Sequence, residues 1–395
     1  MKAGSFSMVS PSRVVIGAVA FAVTVGVTSA ARAEGSDISF RTRTEVSGYK
    51  DTDATNVLTP GVRAEVENVP AGWAIGASLL VDVVTTASAD IVATASPKWT
   101  DERYVPGLDA RFKISDATLS LAANGSIESD YYAGTGSVGL AIDLAEKTIT
   151  PSFSYSFGYD VAGRRHTPLS VYSLELMRHS LSAYVSFVIN KSTIFVPGVS
   201  GVLEIGDQEK PYRYLPTFTE GTEVPVGASA DEVNLLRTSV RLAENTPDLR
   251  HRYSASALVA HRFDNATIRV EERLYIDNWL LMATTTDATL PIDVTSAVRI
   301  WPHLRFHAQK GVDFWSRAYV IDETSAGVVA PQLRTGDREL GPMIAATGGA
   351  GLRVGDDHVG FTISADAIYT RFLDALFIQD RVAGFGALVF DAEVD

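Results

Sequence analysis

The sequence predicts an all-β chain that closes into an antiparallel transmembrane β-barrel of about 16 strands, with both termini on the periplasmic side. Three observations predict it. Past an export segment, the chain falls into stretches of ten to fourteen residues that alternate apolar and polar side chains. Short and longer links between these stretches also alternate. No run of eighteen apolar residues is left to form a membrane-spanning helix, which needs about 20.

The N-terminus reads as an address. Lys2 and Arg13 carry positive charge, Val14 to Val27 is an apolar run, and Ala31-Arg32-Ala33 is an A-x-A cleavage site. These are the three parts of a secretory signal peptide, and the apolar run is too short to span a bilayer. The expected organisation is a signal peptide over 1–33 and a barrel over 34–395, exported from the cytoplasm of a Gram-negative bacterium and placed in its outer membrane. Cleavage removes three basic residues and no acid, so the formal charge of −13 becomes −16. An acidic chain is a poor partner for nucleic acid, whose binding rests on Lys and Arg neutralising phosphate. The chain has no Cys, which excludes thiolate, Cys–zinc and Cys-nucleophile chemistry.

Period two is the strand signature, because successive side chains leave opposite faces of a pleated sheet. In 148–159, Ile149, Pro151, Phe153, Tyr155, Phe157 and Tyr159 share one face, and small polar residues with one Gly occupy the other. Leu108, Ala110, Phe112 and Ile114 oppose Asp109, Arg111 and Lys113 in the same way. Val298, Ile300, Pro302, Leu304 and Phe306 oppose Arg299, Trp301, His303 and Arg305. The faces are not distinct over 194–205, and 309–321 reads as an extension of the preceding strand. The last strand, Val382 to Phe390, is followed by Asp391-Ala-Glu-Val-Asp395.

Short turns are expected at 69–72, 115–116, 145–147, 190–191, 264–265, 293–295 and 355–357. Longer links are expected near 50–56, 86–104, 129–132, 160–177, 206–250, 277–280, 321–337 and 372–380. Outer-membrane barrels have short periplasmic turns and longer outer loops. Closure is required because an open sheet edge leaves backbone groups unpaired in lipid. Trp73, Tyr104, Tyr131, Tyr132, Tyr159, Tyr253, Trp279 and Tyr369 lie near strand ends, where interfacial girdles form.

The chain resembles the bacterial outer-membrane barrels grouped as domain of unknown function 3570. The resemblance rests on 73–82, Ser129-Asp-Tyr-Tyr132, 179–183 with 190–193, and Arg305-Phe-His-Ala-Gln309 leading to Asp313-Phe-Trp315, in that order. It implies a barrel in the outer membrane and carries over no functional residue.

Motifs for chemistry are weak. Gly134-Thr-Gly-Ser-Val-Gly139 fits G-x-G-x-x-G but lacks the strand-then-helix setting of a dinucleotide site. His303 and His307 share a strand face about 13 Å apart, too far for one metal ion. His179 and Ser180 are adjacent, so on a strand they point to opposite faces and cannot act as base and nucleophile. No catalytic residue, cofactor or metal is expected. A membrane acyl hydrolase is the weakest of three functions.

The expected inward face is more informative. Its lumen-facing candidates are Arg41, Arg43, Glu45, Arg63, Glu65, Asp109, Arg111, Lys113, Arg269, Glu271, Arg273, Arg299 and Arg305. Two functions follow: a passive channel for small solutes, or a scaffold barrel that binds partners through 206–250. The other partners expected are outer-membrane lipid and the barrel-assembly machinery. One residue violates the pattern, because Glu272 falls on the outward set Ile268, Val270, Leu274, Ile276. A β-bulge at Glu271-Glu272 that reverses parity is preferred over a subunit contact or a protonated carboxyl.

Overall fold

The computed structural model describes residues 37–86, 99–324, 327–356 and 358–394. The signal-peptide reading, most of the 86–104 link and Asp357 therefore lie outside the described residues. The strands are β1 (Ile38–Asp51), β2 (Asn56–Asn68), β3 (Trp73–Thr86), β4 (Trp99–Ile114), β5 (Ala117–Ile127), β6 (Tyr131–Ile142), β7 (Ile149–Ala162), β8 (Leu174–Asn190) and β9 (Thr193–Gly206). They continue with β10 (Leu249–Arg262), β11 (Thr267–Asp277) and β12 (Met282–Thr289, resumed at Ile292–Asp293). The last four are β13 (Val298–Lys310), β14 (Met343–Gly355), β15 (Val359–Phe372) and β16 (Asp380–Val394). Each pairs antiparallel with the next, and β1 pairs with β16 from Phe40 opposite Val394 to Asp51 opposite Ala383. Sixteen strands thus form one closed barrel.

Glycines decide which face is concave. Side chains converge on the inside of a closed sheet and diverge outside. A Cβ added at Gly76, Gly107, Gly351 or Gly360 would meet neighbouring side chains under 3.0 Å away. One added at Gly134, Gly136 or Gly384 would meet nothing within 4 Å. Gly76 stands opposite Glu65 and Asp109, so those acids share the concave face. The convex face carries exposed Leu108, Phe153, Leu181, Leu304 and their row-mates. Gly351→Ala should therefore cost about 1–3 kcal/mol by overpacking against the Trp301 ring. Gly384→Ala should cost close to nothing. The midpoint temperature of the compact-to-unfolded gel shift measures both, and equal effects would contradict the assignment of faces.

Outward tyrosines gather at the end with the longer links, each bonded to an outward carboxylate: Tyr104 to Glu102 at 2.8 Å, Tyr159 to Glu175 at 2.5 Å and Tyr369 to Asp380 at 2.5 Å. Two residues expected in the girdle stand elsewhere. Tyr131 is on the inward set of β6, and Trp279 is buried in a loop core with Leu281 and Val312.

Three expectations are corrected. The strand does not extend through 309–321. It ends at Lys310 because Gly311 passes against the backbone of Gly341 and the Val312 amide bonds the Leu340 carbonyl at 2.9 Å. The following link is consequently 311–342 rather than 321–337. The bulge at Glu271-Glu272 does not exist, since pairing runs unbroken from Arg252 opposite Asp277 to Arg262 opposite Thr267. Glu272 keeps its outward parity, and Thr284 and Thr286 of β12 donate to its two carboxylate oxygens. The residues after Phe390 continue β16, and their acids turn inward: Asp391 meets Arg353 and Glu393 meets Arg41.

Two of the longer links are tight loops of one design. At Tyr49-Lys-Asp51 and Tyr275-Ile-Asp277, the Asp accepts from the Tyr hydroxyl two residues back at 2.9 Å. Its other oxygen accepts backbone amides two and four residues on, at 2.9–3.0 Å. Ala54 and Leu280 take the left-handed backbone each loop needs.

Candidate functional site, the lumen wall and its cap

All thirteen candidates stand on the concave face, and ion pairs, some across strands and some within one, absorb most of them. Near the short-turn end Arg41 reaches Glu67 at 2.7 Å and Glu393 at 2.9 Å. Arg63 grips Asp109 with two bonds of 2.5 and 2.8 Å and Glu65 at 2.6 Å. Arg111 approaches Glu67 at 3.5 Å, Arg43 pairs with Glu45 at 3.2 Å and Arg273 with Glu271 at 3.1 Å. Arg299 binds Asp293 at 2.6 Å. Each such pair is worth roughly 0.2–1 kcal/mol; those of Arg41, Arg111 and Arg299, and that of Arg63 with Asp109, tie neighbouring strands, while Arg43–Glu45 and Arg273–Glu271 lie within one strand.

A second belt, near the long-link end of β7–β11, was not read from sequence. Arg178 sits between Asp160 at 3.3 Å and Glu204 at 3.0 Å. Arg252 joins Glu204 at 3.2 Å to the Tyr275 hydroxyl at 3.0 Å, and Arg250 binds Asp277 at 2.5 Å. The available signal was the parity of Arg178 with Ser180 and Ser182, and of Arg250 and Arg252 with Ser254. Among the described residues, Lys113, Arg269 and Arg305 have no ion-pair partner within 4.0 Å. Asp287, opposite Arg305, is engaged instead by His303 at 3.2 Å, whose Nδ1 meets Asp366 at 2.8 Å.

Between the belts, β6–β10 present short hydroxyl side chains. One row across the strands runs Ser154, Ser182, Ser200, Ser254, and another runs Ser137, Ser156, Ser180. Ser200 and Ser254 share a hydrogen bond of 2.6 Å. By contrast, β13 turns Trp301, His303, Arg305 and His307 inward.

The mouth at the long-link end carries a cap. Residues 214–218 pair with 241–243 antiparallel and with Tyr319–Val320 in parallel. Helix α1 (Ala230–Leu236) starts at a capping box of Ser229 with Glu232. Phe218, Val224, Ala228 and Val233 form its core with Leu376 and Phe377. The 206–250 segment is thus one part of a unit shared with 311–342 and 373–379.

The cap enters the mouth along one side of the barrel. Inward Gln309 donates to the carbonyls of Glu339 at 2.7 Å and Gly341 at 2.8 Å. Arg381 binds Glu339 at 3.0 Å, Arg338 binds Asp53, and inward Phe372 is fully buried beneath both guanidiniums. On the other side, among the described residues, the cap bonds the rim: Tyr212 donates to Asp130, and Arg164 to the Pro211 carbonyl at 3.2 Å.

Glu244 staples the cap. It accepts from Thr335 at 2.5 Å and the Lys210 amide at 2.9 Å, with Arg213 at 3.7 Å. Burial pushes its carboxyl above the usual carboxylate range, and these partners offset only part of the effect. The folded cap therefore binds a proton over a window where the unfolded chain has lost it. Its stability is greatest below that window and declines as pH rises through the raised value. Glu244→Gln should abolish this dependence, read from amide exchange at 210 and 241–245 as pH rises from the ordinary glutamate range. Identical pH slopes in variant and wild type would refute the assignment.

Residues 80–359 match the model of a family described as a protein of unknown function, DUF3570. The chain belongs to that family. The DUF3570 span runs from β3 to the first residue of β15, so it contains both serine rows and the two long cap segments. Among solved structures, a bacterial polysaccharide outer membrane secretin aligns over 89% of this chain and 97% of its own, at 9% identity and a TM-score of 0.46. CdiB from Acinetobacter baumannii aligns over 91% and 60%, at 8% identity and a TM-score of 0.46. The siderophore receptor PirA from Pseudomonas aeruginosa aligns over 84% and 56%, at 8% identity and a TM-score of 0.41. The chain spans about half the length of the siderophore receptors it matches. No curated relative matches it.

Proposed function

We propose that this DUF3570 protein is a passive channel of the outer membrane for small hydrophilic solutes, with its short turns and both termini in the periplasm. The serine rows of β6–β10 carry the reading. Their side chains are short and uncharged, and among the described residues the cap bonds that side at the rim. A corridor there offers hydroxyls in place of a solute's hydration shell. Barrels of 16–18 strands are wide enough for an aqueous path. The paired charges brace the wall and leave little net charge, so ion preference should be weak. On this reading the export segment is cleaved, the assembly machinery inserts the barrel, and no catalysis is involved.

Single-channel recording of the purified protein in a planar bilayer tests this. Discrete steps with similar anion and cation permeability are expected. A heat-modifiable, folded barrel that gives no conductance would overturn the channel. A scaffold role is favoured by one observation: α1 buries Val233 yet leaves Leu235 86% exposed on the cap.

A further inference from the structure

The outer face of a barrel in lipid should carry no charge at depth, since hydrocarbon solvates neither ions nor unsatisfied polar groups. Among the described residues, outward Asp, Glu, Lys, Arg and His side chains lie within three residues of a strand end, with two exceptions. These are Glu272 on β11 and His179 on β8, each five residues in from the long-link end of its strand.

Neither is a stray. Glu272 is held as an acceptor on both oxygens, by Thr284 and by Thr286 at 2.5 Å. Its partner Thr284, and not Glu272 itself, borders an apolar concavity of about 900 Å³ that runs from there toward the long-link end and whose outward-facing lining includes Ala255, Leu274, Ile276 and Ala308. His179 is half-buried beside a row of exposed aromatic side chains, Phe153, Tyr155, Phe157 and Tyr159. Its Nδ1 meets the Tyr155 hydroxyl at 2.8 Å and its ring lies 5.1 Å from that of Phe157. In the tautomer whose Nδ1 accepts from the tyrosine hydroxyl, Nε2–H is the donor left for a carboxylate.

One surface is therefore a groove with an acceptor and the other an aromatic ridge with a donor. Because the two differ and lie on the same molecule, the contact they make is head-to-tail, and such contacts close into rings when the rotation permits. From β8 to β11 is three of sixteen strand steps, about 68° of the circumference, close to the roughly 60° between the two contacts of a subunit in a ring of three.

We propose that three copies of this chain pack side by side in the membrane, the His179 ridge of each seated in the Glu272 groove of the next. The inference requires a barrel in a bilayer but not an open lumen.

The chain has no native Cys, so introduced pairs report cleanly. Leu181→Cys and Val270→Cys lie on the same outward faces, two residues from His179 and Glu272, and leave both in place. Oxidation of the double variant in native membranes should give linked dimer and trimer, while neither single variant should link. Adding Glu272→Leu should cut the linked fraction severalfold while the heat-modifiable band stays unchanged. Monomer alone from the folded double variant, or dimers from either single variant, would overturn the ring. Should the cysteine variants not fold, the mass of unmodified protein in large lipid nanodiscs decides, with one copy per assembly overturning it. A conducting monomer would reject the ring and keep the channel; a silent trimer would do the reverse.

Discussion

Asp277→Ala should destabilise the barrel by about 3–5 kcal/mol, the loss typical when one partner of a buried ion pair is removed. Asp277 is 3% exposed and accepts five hydrogen bonds: two from Arg250, one from the Tyr275 hydroxyl, and one each from the amides of Trp279 and Leu281. Its removal leaves a guanidinium stacked 4.2 Å from the Trp279 ring without its anion, and frees the turn that places Trp279 in its core. Asp51 is the internal control, with the same tyrosine and two amides but no arginine bonded to it. Asp51→Ala should cost about 1–3 kcal/mol, the range for unsatisfied hydrogen-bond partners. Unfolding midpoints in detergent micelles give both values. Equal losses would mean that Arg250 contributes nothing to the difference.

The second large effect concerns conduction. Ser182→Trp places an indole in the middle of the row Ser154, Ser182, Ser200, Ser254, between two hydroxymethyl groups. It should cut single-channel conductance by about half or more, because the indole fills the corridor that the short hydroxyl side chains leave open. Phe153→Trp, one strand away on the convex face, should leave conductance unchanged. An unaltered current in a folded Ser182→Trp barrel would place the path elsewhere in the lumen.

The serine rows illustrate how far the sequence was readable. Ser152, Ser154 and Ser156 are visibly alternate with Phe153, Tyr155 and Phe157, so their common face was legible. That Ser182, Ser200 and Ser254 fall in line with Ser154 depends on the register of four strands and on the 206–250 segment between two of them. The bracing acids show the same limit. Arg41 was expected inside, but its partner Glu393 is 352 residues away and meets it only because β16 closes on β1. At Glu272 the parity read from sequence was right and the bulge invoked to relieve it was unnecessary. The relief came from Thr284 and Thr286 on the next strand.

By itself, then, the sequence determined what is local: strand parity, the sixteen-strand count, the alternation of short and long links, and the inward side for the charged residues of β1, β2, β4, β11 and β13. These follow from a side-chain period of two and from turn chemistry within a few residues. Closure was argued from sequence by the cost of an open edge in lipid; only the tertiary structure decided the curvature that makes inward glycines obligatory, the second charge belt, and the cap built from three distant segments. Each of these depends on which strand lies beside which, and on side chains meeting across long stretches of chain. No local pattern encodes such a meeting, because its free energy exists only once the sheet has closed.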